Sequence, residues 1–486
     1  MEASGYHNTI SEDYTEVYQR LPFKSILAYG VGHVLNDVCA SMWFTYLLVF
    51  FHLVLDFDNW QAGCILLVGQ VADALATPFV GFHSDLTDNF WFCRYGKRKT
   101  WHLLGSLCVL GAFPFIFTPC VDCENSPKSA QMFYFSVFVV IFQFGWACVQ
   151  ISHLSLIPEL TPNEHDRTRL TAIRFSFTVF SNILVYVTTW AVLHINSTGD
   201  NSQIGPQDAN KFQTVVWVSL GFGIFCTLIF HCFVHEDNNG AGTDVRGSQL
   251  QIGVTELLCS IEVYQVAAVY MATRLFVNLS QVFIPLYLHE TLNMAAQALA
   301  IVPLTMFLSS FFTSFSIEFL NRKLGRKVAY VIGSLFCIIA CIWIQFSVGE
   351  SYTSYQIYII ALLVGAGGSI ILVTSLGITA DLIGNNTGNG AFVYGVMSFT
   401  DKLSNGIAVV IIQDLHTQHS DVTYYRDILT YVCGAATILG ILTVLTIAKD
   451  LRDRRAAPFT DNGSITDSRA GAINSVQEDM QAALIS

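Results

Sequence analysis

"GFHSDLTDNFWFCRYGKRK", residues 81–99, returns in weakened form as "SFSIEFLNRKLGRK", residues 314–327. Each copy follows an apolar run and sets a small residue four positions ahead of an acid, Asp85 or Glu318. A basic cluster around a glycine then closes the stretch, at Gly96 in the first copy and Gly325 in the second. A pattern that recurs after the second and the eighth apolar runs implies a chain assembled from two related halves.

Those runs dominate the chain. Of its 486 residues 53% are hydrophobic and only 12% charged, against about 25% charged in soluble domains. The fold class that follows is an all-α polytopic membrane protein, since about 20 helical residues cross the hydrocarbon of a bilayer. Twelve transmembrane helices are expected near 23–52, 61–83, 100–119, 132–157, 171–195, 212–234, 264–289, 296–317, 327–348, 355–379, 391–414 and 425–448. The first follows an acidic tail and contains Asn36 and Asp37, so it lacks the basic start of a cleavable signal peptide and is expected to be retained. The linker "HEDNNGAGTDVRGSQLQ", 235–251, is polar and glycine-rich and divides the spans six and six. The expected organisation is a tail 1–22, a six-helix bundle 23–234, a linker 235–263, a second bundle 264–448 and a disordered tail 449–486.

The net charge of −12 argues against a nucleic-acid partner. Its distribution is more informative. Lysines and arginines gather on alternate loops, at Arg94, Lys97, Arg98 and Lys99, at Arg167 and Arg169, at Arg322, Lys323, Arg326 and Lys327, and after Lys449. By the positive-inside rule both termini are then cytosolic. In the repeated motif, Asp85 with Arg94 and Arg98, and Glu318 with Arg322 and Arg326, could form charge pairs across the cytosolic face of the two bundles, closing one state and releasing in another. The competing reading is that these cations only set topology. Cys120 and Cys123, "CVDC" in a non-cytosolic loop, read as loop cysteines or a local disulfide; a single CxxC is not a zinc site, and no metal or cofactor is expected.

A charge at a span centre costs about 2.5–3.5 kcal/mol on insertion scales, so each one needs a reason. Span one carries His33 and Asp37 one turn apart; span two carries Gln70, Asp73 and Thr77 on one face; span four carries Gln143, Gln150 and His153. Span seven adds Arg274, Asn278 and Gln281, and span eleven Ser398, Lys402 and Asn405. Arg174 stands near the start of span five, from where its long side chain could snorkel to the cytosolic surface. Interhelical hydrogen bonding accounts for Gln143, Gln281, Ser398 and Asn405. It accounts poorly for Asp37, Asp73, Arg274 and Lys402. Two acids in the first half and two bases in the second would neutralise one another when empty, or hold a zwitterion. His33, beside Asp37, is suited to carry a proton, although an isolated histidine is more often a packing residue.

Six plus six spans with the doubled acid-then-basic loop resemble the major facilitator superfamily, whose two pseudo-symmetric six-helix bundles hold substrate at the midplane. "ADALATP", 72–78, and "IPELTPNEHDRTRLTAIR", 157–174, resemble its glycoside-pentoside-hexuronide cation symporters. Asp37, Asp73 and Lys402 match that family's intramembrane aspartates and lysine. Thr77 stands where the family has a second aspartate in span two, and Gln150 where it has a sugar-contacting one. "GVGHVLNDVCASMWFTYLLVFFH", 30–52, with "LLVGQVADALATPFVGFHSD", 66–85, is similar to an animal branch of the superfamily that resides in lysosomes and melanosomes, influences pigmentation and is implicated in cysteine import. That resemblance implies a lysosomal and melanosomal membrane protein with cysteine as substrate, while His33, Asp37 and Asp73 are the residues on which coupling to H+ or Na+ would rest. Tyr14 and Tyr18 fit short tyrosine-based sorting patterns, which sorting adaptors would read, and Asn196 heads an acceptor site for glycosylation. The alternatives are a cation-coupled sugar or lysolipid carrier and a membrane scaffold whose polar residues only specify packing. No nucleotide loop or nucleophile motif argues for an enzyme.

Overall fold

In hydrocarbon every backbone N–H and C=O must be satisfied inside its own segment, so an apolar run of bilayer length has the helix as its stable form. A computed structural model describes residues 21–86, 95–123, 126–161, 164–195, 203–236, 261–346, 349–383, 390–418 and 421–447. Tyr14, Tyr18, Arg94, Asn196, residues 1–20 and the C-terminal tail lie outside them, as do the side chains of Asp85 and Glu318.

The first half contributes α1 (Phe23–Val54), α2 (Asn59–Leu86), α3 (Lys97–Ile116), α4 (Lys128–Leu160), α5 (Glu164–Ile195) and α6 (Ala209–Phe233). The second contributes α7 (Ile261–Leu286), α8 (Ala298–Leu324), α9 (Arg326–Phe346), α10 (Ile357–Ile383), α11 (Gly390–Gln418) and α12 (Tyr424–Thr446). Eleven of these are long and apolar enough to cross a membrane. The other, α11, is 29 residues long and carries Asp401, Lys402 and Asp414. Helix α1 is not uniform: a 3₁₀ turn at Val31–His33 interrupts it, and it ends in a π turn at Phe50–Val54. Cys120 and Cys123 are joined in the loop after α3.

The halves repeat one another in contact as well as in sequence. Helix α3 packs on α4 and α9 on α10; α2 packs on α4 and α8 on α10; α1 packs on α6 and α7 on α12. Small residues set the closest approaches, as is usual between helices in lipid. A Cβ on Gly105 of α3 would lie 2.6 Å from the Gly145 carbonyl oxygen of α4, and one on Gly367 of α10 would lie 2.8 Å from that of Gly333 on α9. Peripheral helices expose large apolar side chains, among them Leu107 on α3, Trp217 on α6, Phe346 on α9 and Leu442 on α12, a surface suited to acyl chains.

The two halves meet along α2 with α11, α5 with α8 and α1 with α7. Polar clasps between them gather at the face opposite the chain ends. Gln203 donates to Asn293 at 3.0 Å, Asn59 of α2 bonds His416 of α11, and His52 of α1 faces Glu290, just beyond α7, at 3.4 Å. At the face carrying residues 21 and 447, Lys99 reaches the Val234 carbonyl, Arg98 binds Glu159, and Arg326 binds Asp381, each pair inside one half.

Candidate functional site

Asp73 sits midway along α2 and is 7% exposed. The Thr77 hydroxyl, one turn on, lies 2.9 Å from the Asp73 carbonyl oxygen and 3.1 Å from its carboxylate, and its single proton serves one of them at a time. Pro78 follows, removing a backbone donor from this turn. From α11, in the other half, Lys402 places Nζ 2.6 Å from Asp73 Oδ2 and 3.2 Å from the Thr77 oxygen. One ion pair thus bridges the halves at mid-span.

Consecutive residues on a helix are turned by about 100°, so Asp401 points elsewhere than Lys402. It accepts from Arg274 of α7 at 2.8 Å, and this second pair lies wholly within the second half. Asp401 is absent from the expected set, which follows the stripe of Ser398, Lys402 and Asn405, although a carboxylate inside a span is itself a signal. Its adjacency to an intramembrane lysine was a further clue.

The third charged group lies inside the first half. His33 and Asp37 share a hydrogen bond of 2.8 Å, and Thr178 of α5 donates to the other Asp37 oxygen at 3.0 Å. Both residues are fully buried. Asn36 donates to the Trp146 carbonyl, and the Trp146 indole donates to Gln150 at 3.0 Å, linking this group to the half-buried Gln150 on α4. His153 stacks on Tyr29 with ring centroids 4.2 Å apart. Gln70 packs against Gly406 of α11, and Asn278 is buried on α7.

The expected set of two acids and two bases is therefore divided. Lys402 neutralises Asp73, whereas Arg274 takes Asp401 and Asp37 takes His33 and Thr178. Helix rotation is the reason, since spacing along one chain does not fix which neighbour a side chain faces. Arg174 also differs from expectation. It is fully buried rather than snorkelling, and its charge interacts with Asp37, His33 and His153. α5 begins at Glu164, so Arg174 is nearly three turns inside the helix and faces α1.

The repeated basic motif finds partners at another place. Arg98 at the start of α3 binds Glu159 at the end of α4 at 2.9 Å and donates to Ser84 at 2.8 Å. Arg326 at the start of α9 binds Asp381 at the end of α10 at 3.0 Å. The spacing repeats as well: Gly105 and Gly333 each follow their arginine by seven positions, and Glu159 and Asp381 each follow Gly145 and Gly367 by fourteen. These pairs staple helices within a half; the expected charge pairs of Asp85 and Glu318 lie outside the described residues. Arg322 is exposed at the end of α8.

Opposite the chain ends, Glu290 faces two imidazoles, His52 at 3.4 Å and His416 at 3.8 Å. His52 Nδ1 lies 2.9 Å from the Phe57 carbonyl, which only accepts. With a carboxylate at its other nitrogen, the imidazolium is the form that satisfies both. Glu290→Gln is expected to loosen this clasp between the halves. Spin labels at the exposed Asp58 and Asp421 should report longer separations in the variant, and in the wild type when pH is raised through the histidine range. Unchanged distances would mean that the clasp holds nothing shut.

A family model described as MFS/sugar transport protein matches residues 28–448. The chain is 41% identical over 462 residues to the mouse major facilitator superfamily domain-containing protein 12, covering 88% of this chain and 95% of that protein. The human protein of that name is 42% identical over 446 residues, covering 87% of this chain and 92% of its own length. Among solved structures, that of a D-xylose-proton symporter superposes with a TM-score of 0.66 at 16% identity, over 88% of this chain and 98% of the other. The last likeness concerns the fold.

Proposed function

This chain belongs to the MFS/sugar transport protein family of secondary transporters, and on that premise we propose that it imports cysteine from the cytosol into lysosomes and melanosomes by alternating access, with protons as the coupling ion. The observation that carries the reading is the Asp73–Lys402 pair at the junction of the halves. A zwitterion brings one ammonium and one carboxylate, so it can replace an internal ion pair without leaving either protein charge alone. Asp73 would take the ammonium. Lys402 would take the carboxylate, with Arg274 on the neighbouring helix able to share it. Each exchange removes the mid-span ion pair between α2 and α11, which is a physical route from binding to motion between the halves.

The remaining parts of the reading follow from the sequence. The basic loops support cytosolic termini, Tyr14 and Tyr18 would direct sorting, and Asn196 would be glycosylated on the lumenal side. His33 and Asp37 would carry the coupling proton. A second reading, a cation-coupled sugar carrier, is favoured by the family's description. A neutral sugar brings no charge with which to replace the Asp73–Lys402 pair, which is why it ranks second.

The test is labelled cysteine entry into lysosomes isolated from cells lacking the chain and from cells re-expressing it. Restored uptake, not competed by a hundredfold excess of hexoses or pentoses, is the expected result. No restoration, with the chain confirmed in the lysosomal membrane, would remove cysteine as substrate, and uptake of a labelled sugar would establish the second reading.

A further inference from the structure

We propose that four histidines, His33, His153, His102 and His231, conduct protons between Asp37 and the face of the membrane that carries the chain ends. They come from four helices, α1, α4, α3 and α6, and three of them are fully buried. Packing alone does not ask for this. Histidine is a costly way to fill the interior of a membrane bundle, and four in contact are costlier still.

Hydrogen bonds join the two ends of the path, and ring contacts span its middle. Tyr95, exposed at the membrane face, places its hydroxyl 2.9 Å from His231 Nδ1. His231 Nε2 lies 3.1 Å from His102 Nδ1. The His102 ring adjoins that of His153, centroids 5.9 Å apart, and His153 adjoins His33 at 5.7 Å. His33 then holds Asp37 at 2.8 Å. The hydrogen-bond roles leave room for a proton to travel. His102 Nε2 and His153 Nε2 both face backbone carbonyls, of Gly32 and Tyr29, so both carry hydrogen. His153 Nδ1 and His33 Nε2 are buried with no hydrogen-bond partner among the described residues. These are two open lone pairs on neighbouring rings.

In the proposed step a proton from solution binds His231 Nδ1 as the Nε2 proton of that ring passes to His102 Nδ1. His102 releases its Nε2 proton toward His153, and His153 passes one to His33, both transfers requiring ring rotation. His33 delivers its Nδ1 proton to the Asp37 carboxylate. One N–H or O–H bond breaks for each that forms, and the net change is one proton moved from solution to Asp37. The charges facing the path suit transit rather than storage. Arg174 from α5 interacts with His33, His153 and Asp37, so a cation resting on either ring meets like charge. Lys99 lies over the Tyr95 ring at 4.2 Å, near the exposed Cys232, and Glu236 accepts from the Arg98 and Lys99 amides at the entrance.

The inference rests on the proton-coupled reading for its purpose, and its test is independent of substrate. The full chain in lipid nanodiscs is followed by infrared spectroscopy after a pH drop, reading the protonated carboxyl band that Asp37→Asn removes. His102→Gln and His231→Gln are each expected to slow the rise of that band roughly a hundredfold, the usual weight of one positioned proton carrier. His231, nearer the surface, decides the matter should His102→Gln fail to fold. Wild-type rates in both folded variants would overturn the relay. Cysteine transport is read separately. Slowed protonation in the variants, with no cysteine moved by the wild type, would sink the substrate assignment and leave the relay standing.

Discussion

Asp73→Asn is expected to cut cysteine transport roughly a hundredfold at matched abundance, a loss of about 3 kcal/mol in the rate-limiting free energy. The Asp73 and Lys402 side chains are 9% and 15% exposed, so removing the carboxylate leaves an ammonium in the span without its partner at 2.6 Å. Breaking a buried pair from one side costs about 3–5 kcal/mol, whereas replacing both members is often close to neutral. The design that separates packing from transport follows directly. In detergent, Asp73→Asn should lower the thermal midpoint, and Asp73→Asn combined with Lys402→Met should recover most of it. Uptake should stay lost in both, because neither variant offers an anion to the substrate's ammonium. A double variant that regained uptake along with stability would reduce the pair to interhelical glue, and the scaffold reading would gain what the transporter reading lost.

Gly105→Val is expected to damage folding severely. The Cβ alone would lie 2.6 Å from the Gly145 carbonyl oxygen and 2.9 Å from the Val149 nitrogen, and both are backbone atoms that no rotamer change can move. Helices α3 and α4 must separate, at a cost of roughly 3 kcal/mol or more for overpacking of this kind. Gly333, its counterpart on α9, offers a graded control. A Cβ there meets Ile370 Cγ2 at 2.7 Å, which a rotamer change relieves, and Ile370 Cβ at 2.8 Å, which it does not, but none of its three nearest neighbours is a backbone atom. Gly333→Val should therefore lower the thermal midpoint and the monodisperse yield less than Gly105→Val does. Equal losses would show that the backbone contact is not what limits the approach of α3 to α4.

Expectation and structure agree where the signal is periodic and local. Among the described residues twelve helices stand close to the twelve apolar runs, with edges within four residues of expectation except at the start of α5 and the end of α8, each displaced by seven, because hydropathy along one segment decides insertion whatever its neighbours do. The stripe of Gln70, Asp73 and Thr77 is likewise a property of one helix. Its pairing with Lys402, 325 residues from Thr77, is not. Arg98 shows the same division: the motif around it marks a charge pair at the membrane face, yet its partner Glu159 lies 61 residues away on α4. Asp401 stands beside a more conspicuous lysine, and Arg174, expected to snorkel, is set far enough along α5 to be enclosed by α1.

By itself the amino-acid sequence determined that this chain spans a membrane many times, that it is built from two related halves, and which helices carry charge into the hydrocarbon. Each of these is written in composition, run length and helical period. Only the tertiary structure decided that Lys402 meets Asp73 across the halves, that Arg274 is held by Asp401, and that four scattered histidines line up behind Asp37. Partner choice depends on how each helix is rotated about its axis, and rotation is set by the packing of neighbours distant in the chain.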